Sequence, residues 1–360
     1  MDVLGWTPER EAAFADHAEA GLVPGRVVSQ ERDVAHAVTA SGPVDVHVQR
    51  GFRRSAQGPA SFPTVGDWVA LEPLGEGEGA LRAVLPRSSA FSRGQSERGG
   101  RASGQILAAN VDTALLVAAL DRDFNLRRVE RYLALAWASG AAPVILLNKA
   151  DLCEDVPGRV AEIAGIADDT PIHPISARTG AGLEILDRYL VRGRTLVLLG
   201  SSGAGKSTIT NSLLGDQRQA IQPVREDDDR GRHTTVGREL FVLPGGALLI
   251  DTPGLRAVGL VDADEGLDAA FADIGLLAQQ CRFGDCSHGV EPGCAVRAAI
   301  ASGELAETRL HSHQKLQREI AAVERRSSTA RSRAENRRFG RVIRNACKTQ
   351  SRLKGRQETD

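Results

Sequence analysis

The spacing of apolar positions changes character several times along this chain. From Pro8 to Ala20 apolar residues recur at helical spacing. From Gly25 to Leu85 they alternate or run β-branched, in Arg26–Val28, Val34–Val38, Val44–Val48, Asp67–Leu71 and Leu81–Leu85. Gly, Pro and Ser turns separate these five segments, so the pattern predicts a small OB-type β-barrel over residues 1–86 with a helical N-terminal extension. A plain β module with a solvated charged loop around Arg50, Arg53 and Arg54 fits the same pattern. Residues 87–104 are rich in Ser, Arg and Gly and read as a linker.

From Gln105 the pattern becomes α/β. Asp112–Leu120 is almost wholly apolar, as for a parallel strand covered on both faces. Leu126–Ser139 is an amphipathic helix, Pro143–Leu147 a strand, Val156–Gly165 a helix, Ile172–Ile175 a strand and Gly182–Leu190 a helix. Leu196–Leu199, Glu239–Leu243 and Ala247–Ile250 complete the strands. A doubly wound sheet over 105–275 is expected, with ligands at the carboxyl ends of its strands.

Composition narrows the class. The net charge is −1, so there is no global bias toward polyanions, but Arg325–Arg356 holds twelve Lys or Arg against one acid, Glu335. No basic start precedes an apolar core at Met1–Phe14, and no apolar run approaches the roughly 20 residues of a membrane span, so the expectation is a soluble, cytoplasmic, monomeric chain without membrane contact. Three of the five cysteines cluster, which favours metal over disulfides.

Gly200-Ser201-Ser202-Gly203-Ala204-Gly205-Lys206-Ser207-Thr208 matches the phosphate-cradling pattern G-x-x-x-x-G-K-[ST], between an apolar strand and a helical stretch. Backbone N–H groups and the helix N-terminus would hold phosphates, Lys206 would neutralise the β/γ-phosphates, and Ser207 would offer its hydroxyl to magnesium. The base is set by Asn148-Lys149-Ala150-Asp151. A carboxylate at Asp151 accepts from guanine N1–H and the N2 amine together. Adenine would leave it unpaired, which can cost roughly 10⁴-fold in selectivity. Asn148 would tie this loop to the phosphate loop, the Lys149 stem would cover a base face, and Ser176-Ala177 would give a backbone N–H to guanine O6. Asp251 would hold magnesium through water, the Gly254 N–H would meet the γ-phosphate, and Thr235 would close on both from the stretch Arg225–Gly237. These motifs predict a GTPase; ATP is the weaker reading.

The order is unusual. The base-reading motifs precede the phosphate loop, whereas in Ras-like GTPases they follow it. Circular permutation keeps the same sheet, with Val191–Arg194 as the new link. Position 255, where Ras has its water-orienting Gln, is Leu255. His233 is the candidate water-positioner, with a polar switch residue or an RNA contact as alternatives.

Cys281-x₄-Cys286-x-His288-x₅-Cys294 offers three thiolates and one imidazole, the donor set of a closed structural zinc site within residues 276–360. Cys153 and Cys347 lie outside it. Ala295–Gly303 and Glu304–Val323 read as helices, and the basic tail after them as an RNA-phosphate contact or a solvated charged face.

These residues together resemble the RsgA family of permuted GTPases that assist late maturation of the small ribosomal subunit. The likeness runs from about Gly25 to Gln317. It is carried by Ala109–Asp112, Phe124–Leu133, the Asn148–Asp151 and Gly200–Thr208 motifs, Gly231–Thr235, Asp251–Gly254 and the Cys/His spacing. The resemblance implies an OB barrel, a permuted GTPase domain and a zinc domain. It also implies GTP hydrolysis to GDP stimulated by the small subunit, rRNA contacts from the flanking domains, and release after hydrolysis. A nucleotide-gated RNA-binding module, or a permuted GTPase acting on another RNA target, is the alternative.

Overall fold

A computed structural model describes residues 1–31, 34–56, 58–75, 77–93, 105–167, 169–215, 238–251, 264–322 and 325. The N-terminal helix α1 (Pro8–Glu19) leads into β1 (Val23–Glu31), β2 (Val34–Thr39) and β3 (Gly42–His47). A short helix α2 (Arg50–Ser55) precedes β4 (Trp68–Gly75) and β5 (Glu78–Val84). The strands pair in the order β1-β2-β3-β5-β4, and β4 returns to β1, so the sheet closes into a barrel. All pairings are antiparallel except β3 with β5. The alternation seen in the sequence fills its inside with Val27, Ala37, Val46, Val69, Leu71 and Leu81.

The stretch expected as a linker contains structure at its start. β6 (Ala90–Arg93) pairs antiparallel with β7 (Gln105–Ala109). The buried Phe91 is the apolar anchor that the Ser/Arg/Gly composition around it hides.

The α/β region follows as β8 (Thr113–Ala119), α3 (Leu126–Ser139), β9 (Ala142–Asn148), α4 (Val156–Ala164), β10 (Ile172–Pro174), β11 (Thr195–Gly200), α5 (Lys206–Leu214), β12 (Arg238–Val242) and β13 (Leu248–Asp251). The sheet order is β10-β9-β8-β11-β13-β12, with only β12 antiparallel to its neighbour. The strand feeding the phosphate loop, β11, lies mid-sheet beside β8 yet comes after β8, β9 and β10 in the chain. That is the permuted order. Leu183–Arg188, expected as part of an α-helix, is a 3₁₀ helix that starts beside Gly182 at φ 76°. A Cβ at Gly182 would meet the Pro174 carbonyl oxygen at 2.7 Å.

Barrel and α/β sheet are not separate layers. Ser29 and Gln30 of β1 pair with Glu239 and Arg238 of β12, so one eleven-stranded sheet runs through both. A buried polar seam reinforces the join. Arg26, on β1, donates to the Leu4 carbonyl at 3.3 Å, the Asn110 carbonyl at 3.4 Å and Thr195 Oγ1 at 3.1 Å, and lies over the Trp68 ring. Burial pulls its pKa down to about 9. Asn110 adopts φ 55° and donates from Nδ2 to the Gly66 carbonyl at 2.9 Å. Arg87 grips Asp67 with Nε and Nη2, both at 2.7 Å, and caps the Ala60 and Phe62 carbonyls.

The C-terminal lobe begins with α6 (Asp264–Ala270) and α7 (Ala272–Ala278), passes through the cysteine cluster, and ends in α8 (Ala295–Ser302) and a helix over residues 307–322, α9. α6 lies so close to α3 that a Cβ on Gly266 would sit 2.4 Å from both the Ala134 carbonyl oxygen and the Ala138 nitrogen. Arg309 of α9 is buried between Glu130 of α3 at 3.1 Å and Asp273 of α7 at 2.8 Å. Arg131 and Glu319 form a second, two-bonded pair between the same lobes. Among the described residues no helix is long and apolar enough to cross a membrane.

Candidate nucleotide and metal sites

Parallel pairing sends β8, β9, β10, β11 and β13 out at one edge of the sheet, and their carboxyl ends carry the motifs. Asn148 ends β9. Ser176 and Ala177 follow β10, Gly200 ends β11, and Asp251 ends β13. The loop from Ser201 to Gly205 turns into α5, whose first turn holds Lys206, Ser207 and Thr208. The turn depends on missing side chains. Gly200 has φ 155° and passes the Val117 carbonyl so closely that a Cβ would lie 2.4 Å from its oxygen. Gly205 has φ 97°, and its Cβ would fall 2.1 Å from Asn148 Nδ2.

Asn148 is buried, and its side chain touches the phosphate loop and the Ser176-Ala177 motif as well as ending its own. Its Nδ2 donates to the Ala204 carbonyl at 2.8 Å, and its Oδ1 accepts the Ala177 N–H at 2.9 Å. The Ala177 amide, expected on guanine O6, is thus engaged, and a base would share that donor. Asp151 Oδ1 accepts from Ser176 Oγ at 2.6 Å. Its Oδ2 accepts from Arg178 Nη2, also at 2.6 Å. The Ser176 hydroxyl first, and the Arg178 guanidinium with it, hold the Asp151 carboxyl below its usual range. Lys149 sits at φ 63° and pairs with Asp121, beyond the end of β8, at 2.6 Å, which lowers the pKa of Asp121. Lys206 Nζ donates to the Gly200 and Ser201 carbonyls at 2.7 and 2.6 Å, folded over its own loop.

Two participants escaped sequence reasoning. Asp121 carried a signal, an acid just past a buried strand run, whereas Arg178 has none beyond its place after Ser176-Ala177. Thr235, His233, Gly254 and Leu255 lie outside the described residues, as does the basic tail beyond Arg325.

The predicted metal ligands do converge. The ligand atoms of Cys281, Cys286, His288 and Cys294 all lie within 4.8 Å of one another. Cys281 Sγ stands 3.9 Å from Cys294 Sγ and 3.7 Å from His288 Nδ1, and Cys294 Sγ stands 3.6 Å from that nitrogen. A tetrahedral ion bound at ~2.3 Å to sulfur and ~2.0–2.1 Å to nitrogen needs edges of about 3.6–3.8 Å. The donor set therefore fits a metal ion. The local backbone prepares it. His288 takes φ 59°, and the Glu291 carboxylate accepts the Ser287 and Gly289 amides at 3.0 and 2.7 Å, pinning the turn on either side. Those bonds, with the Ser287 hydroxyl foremost, draw the Glu291 pKa down to about 2. Cys294 also caps α8, accepting from the Arg297 amide.

The RsgA GTPase family model matches residues 84–261, from the end of the barrel through the motif at Asp251. Two proteins called small ribosomal subunit biogenesis GTPase RsgA align over nearly the whole chain. The one from Streptomyces coelicolor is 48% identical over 93% of this chain and 90% of its own. That from Opitutus terrae is 45% identical over 99% of this chain and 100% of its own. This chain belongs to the RsgA GTPase family. The crystal structure of YjeQ from Thermotoga maritima shares its fold, with TM-score 0.61 and 27% identity over 83% of this chain and 99% of that one. YloQ, described as a circularly permuted GTPase, matches with TM-score 0.58 at 24% identity over 84% of this chain and 96% of that one, and supports the fold alone. The Ala109–Asp112 stretch through which the chain resembles RsgA sits away from the nucleotide edge. Asp112 accepts the Thr195 amide at 2.7 Å at the start of β11, while Asn110 builds the barrel seam.

Proposed function

We propose that this chain binds GTP at the Asn148–Asp151, Ser176–Ala177 and Gly200–Thr208 edge and hydrolyses it to GDP and phosphate while assisting late maturation of the small ribosomal subunit. The observation that carries the reading is the Asn148 bridge: one buried amide ties the phosphate loop to both base-reading motifs. Lys206 leaves the loop carbonyls for the β/γ-phosphates, and the loop amides offset the charge that builds there. Ser207, Thr235 and Asp251 would hold magnesium, which when bound supplies charge neutralisation at the phosphates. With Leu255 at the position after Asp251-Thr252-Pro253-Gly254, His233 places the attacking water when the chain is bound to RNA of the small subunit.

Zinc is the ion for the Cys281, Cys286, His288 and Cys294 site, since three thiolates and one imidazole at tetrahedral spacing leave no open position. The barrel, the lobe around this site and the basic tail grip rRNA. The chain acts as a monomer in the cytoplasm.

GTP turnover by the purified chain, alone and with each ribosomal subunit, tests the reading. Slow turnover alone and strong stimulation by small subunits are expected. No stimulation, or stimulation by large subunits only, refutes it.

A further inference from the structure

We infer that Arg178 is a built-in competitor of the guanine base, a positioning residue that sets how readily this site accepts GTP or GDP. The inference rests on the reading of Asp151 as the guanine acceptor. Guanine is recognised through its N1–H and N2 amine, the two donors of an amidine edge. The Arg178 guanidinium is a planar fork of the same N–C–N chemistry, and it already donates to Asp151 Oδ2 at 2.6 Å. The other carboxylate oxygen takes Ser176 Oγ. A hydroxyl on one oxygen leaves room for a base edge, but a guanidinium on the other stands where the base amine must go.

The side chains on the two ends of this pair differ in exposure. Arg178 is 74% exposed and Asp151 17%. The arginine can therefore swing into solvent, while the carboxylate stays fixed by Ser176. Only the fraction of molecules with Arg178 turned away can read guanine, and apparent affinity falls by that fraction. The cost falls on entry rather than exit, because Arg178 holds nothing once the base occupies Asp151. An exposed pair of this kind is weak, so the effect is a tuning of up to about fivefold rather than a block.

Fluorescent GDP binding by stopped flow provides the test. Arg178→Ala should raise the association rate by up to about fivefold with the dissociation rate unchanged, and Arg178→Lys, which keeps charge but loses the planar fork, should fall between. In GTP turnover the KM should drop while kcat holds. The gap between variant and parent should narrow as salt rises, because Arg178 is largely exposed and ions compete with it for the carboxylate. Asp151→Ala must weaken GDP binding, and on that background Arg178→Ala must have no effect. If Arg178→Ala speeds dissociation or leaves association unchanged while Asp151→Ala weakens binding, the competitor role is wrong and the guanine site stands. If Asp151→Ala leaves binding unchanged, the guanine reading itself fails.

Discussion

The nucleotide edge and the barrel seam both draw on charged side chains in the segments that flank neighbouring strands, yet they treat charge differently. At the edge, each charge has a provisional partner. Lys206 lies on carbonyls of its own loop, Lys149 on Asp121, and Arg178 on Asp151. In the seam, Asp67 has no exposed side-chain surface, and Arg87 holds both its oxygens while also capping two carbonyls. A ligand can replace the first kind of partner at small cost, because water and salt already compete for it. It cannot replace the second. Clusters of like chemistry can thus be sorted into sites and struts by asking which partners a ligand could displace.

The metal lobe gives the largest expected effect and tests the strut side. Removing the ion with a chelator should unfold the turn from Cys281 to Cys294 and loosen the start of α8, where Cys294 is both ligand and cap, because four converging donors without an ion leave only the turn's own hydrogen bonds to hold it. Circular dichroism and bound-metal analysis should fall together, while GDP binding persists. Unchanged helix content after complete metal loss would contradict the assignment.

Arg87→Ala comes next. Removing one partner of a buried pair leaves an uncompensated carboxylate and should cost roughly 3–5 kcal/mol in denaturant unfolding. Burial holds the Asp67 pKa above its ordinary value. The folded chain therefore binds that proton more tightly than the unfolded one. Stability contributed by the protonated form is full below the unfolded value and is lost as pH rises through the folded value. Without Arg87 the folded value moves higher still, so the deficit of the variant should shrink as pH falls through that value. A deficit independent of pH would place the loss elsewhere.

A glycine pair sharpens the comparison at smaller scale. Gly266→Ala drives a methyl into the α3 backbone and should cost about 1–3 kcal/mol. Gly275→Ala, in α7 with nothing within 4 Å of the added methyl, should stabilise by up to about 1 kcal/mol. Equal effects would mean that the tight α3–α6 approach is not a constraint.

How much of this could be read in the residues follows from contiguity. Gly200–Thr208, Asn148–Asp151 and the Cys281–Cys294 spacing each compress a site into one short run whose chemistry needs those residue types, so they were legible. The barrel was legible because period-two alternation survives wherever one face is wet. The seam was not: Arg26, Asn110 and Thr195 meet across 84 and 169 positions of sequence separation from Arg26. β6 was masked by its Ser/Arg/Gly surroundings, and α6 and α7 by Ala, Asp and Gly without a strong stripe. The β1–β12 pairing that fuses barrel and GTPase sheet rests on backbone bonds, which leave no trace in side-chain pattern.

The central claim, that Asp151 reads the base through paired acceptor oxygens, is tested most directly by Asp151→Asn. An amide replaces one acceptor with a donor, so the variant should lose GDP and gain xanthosine diphosphate, whose C2 oxygen accepts where the guanine amine donates. A reversal of preference between the two nucleotides in equilibrium binding is the predicted result. Retained preference for GDP in a folded Asp151→Asn protein would contradict the account.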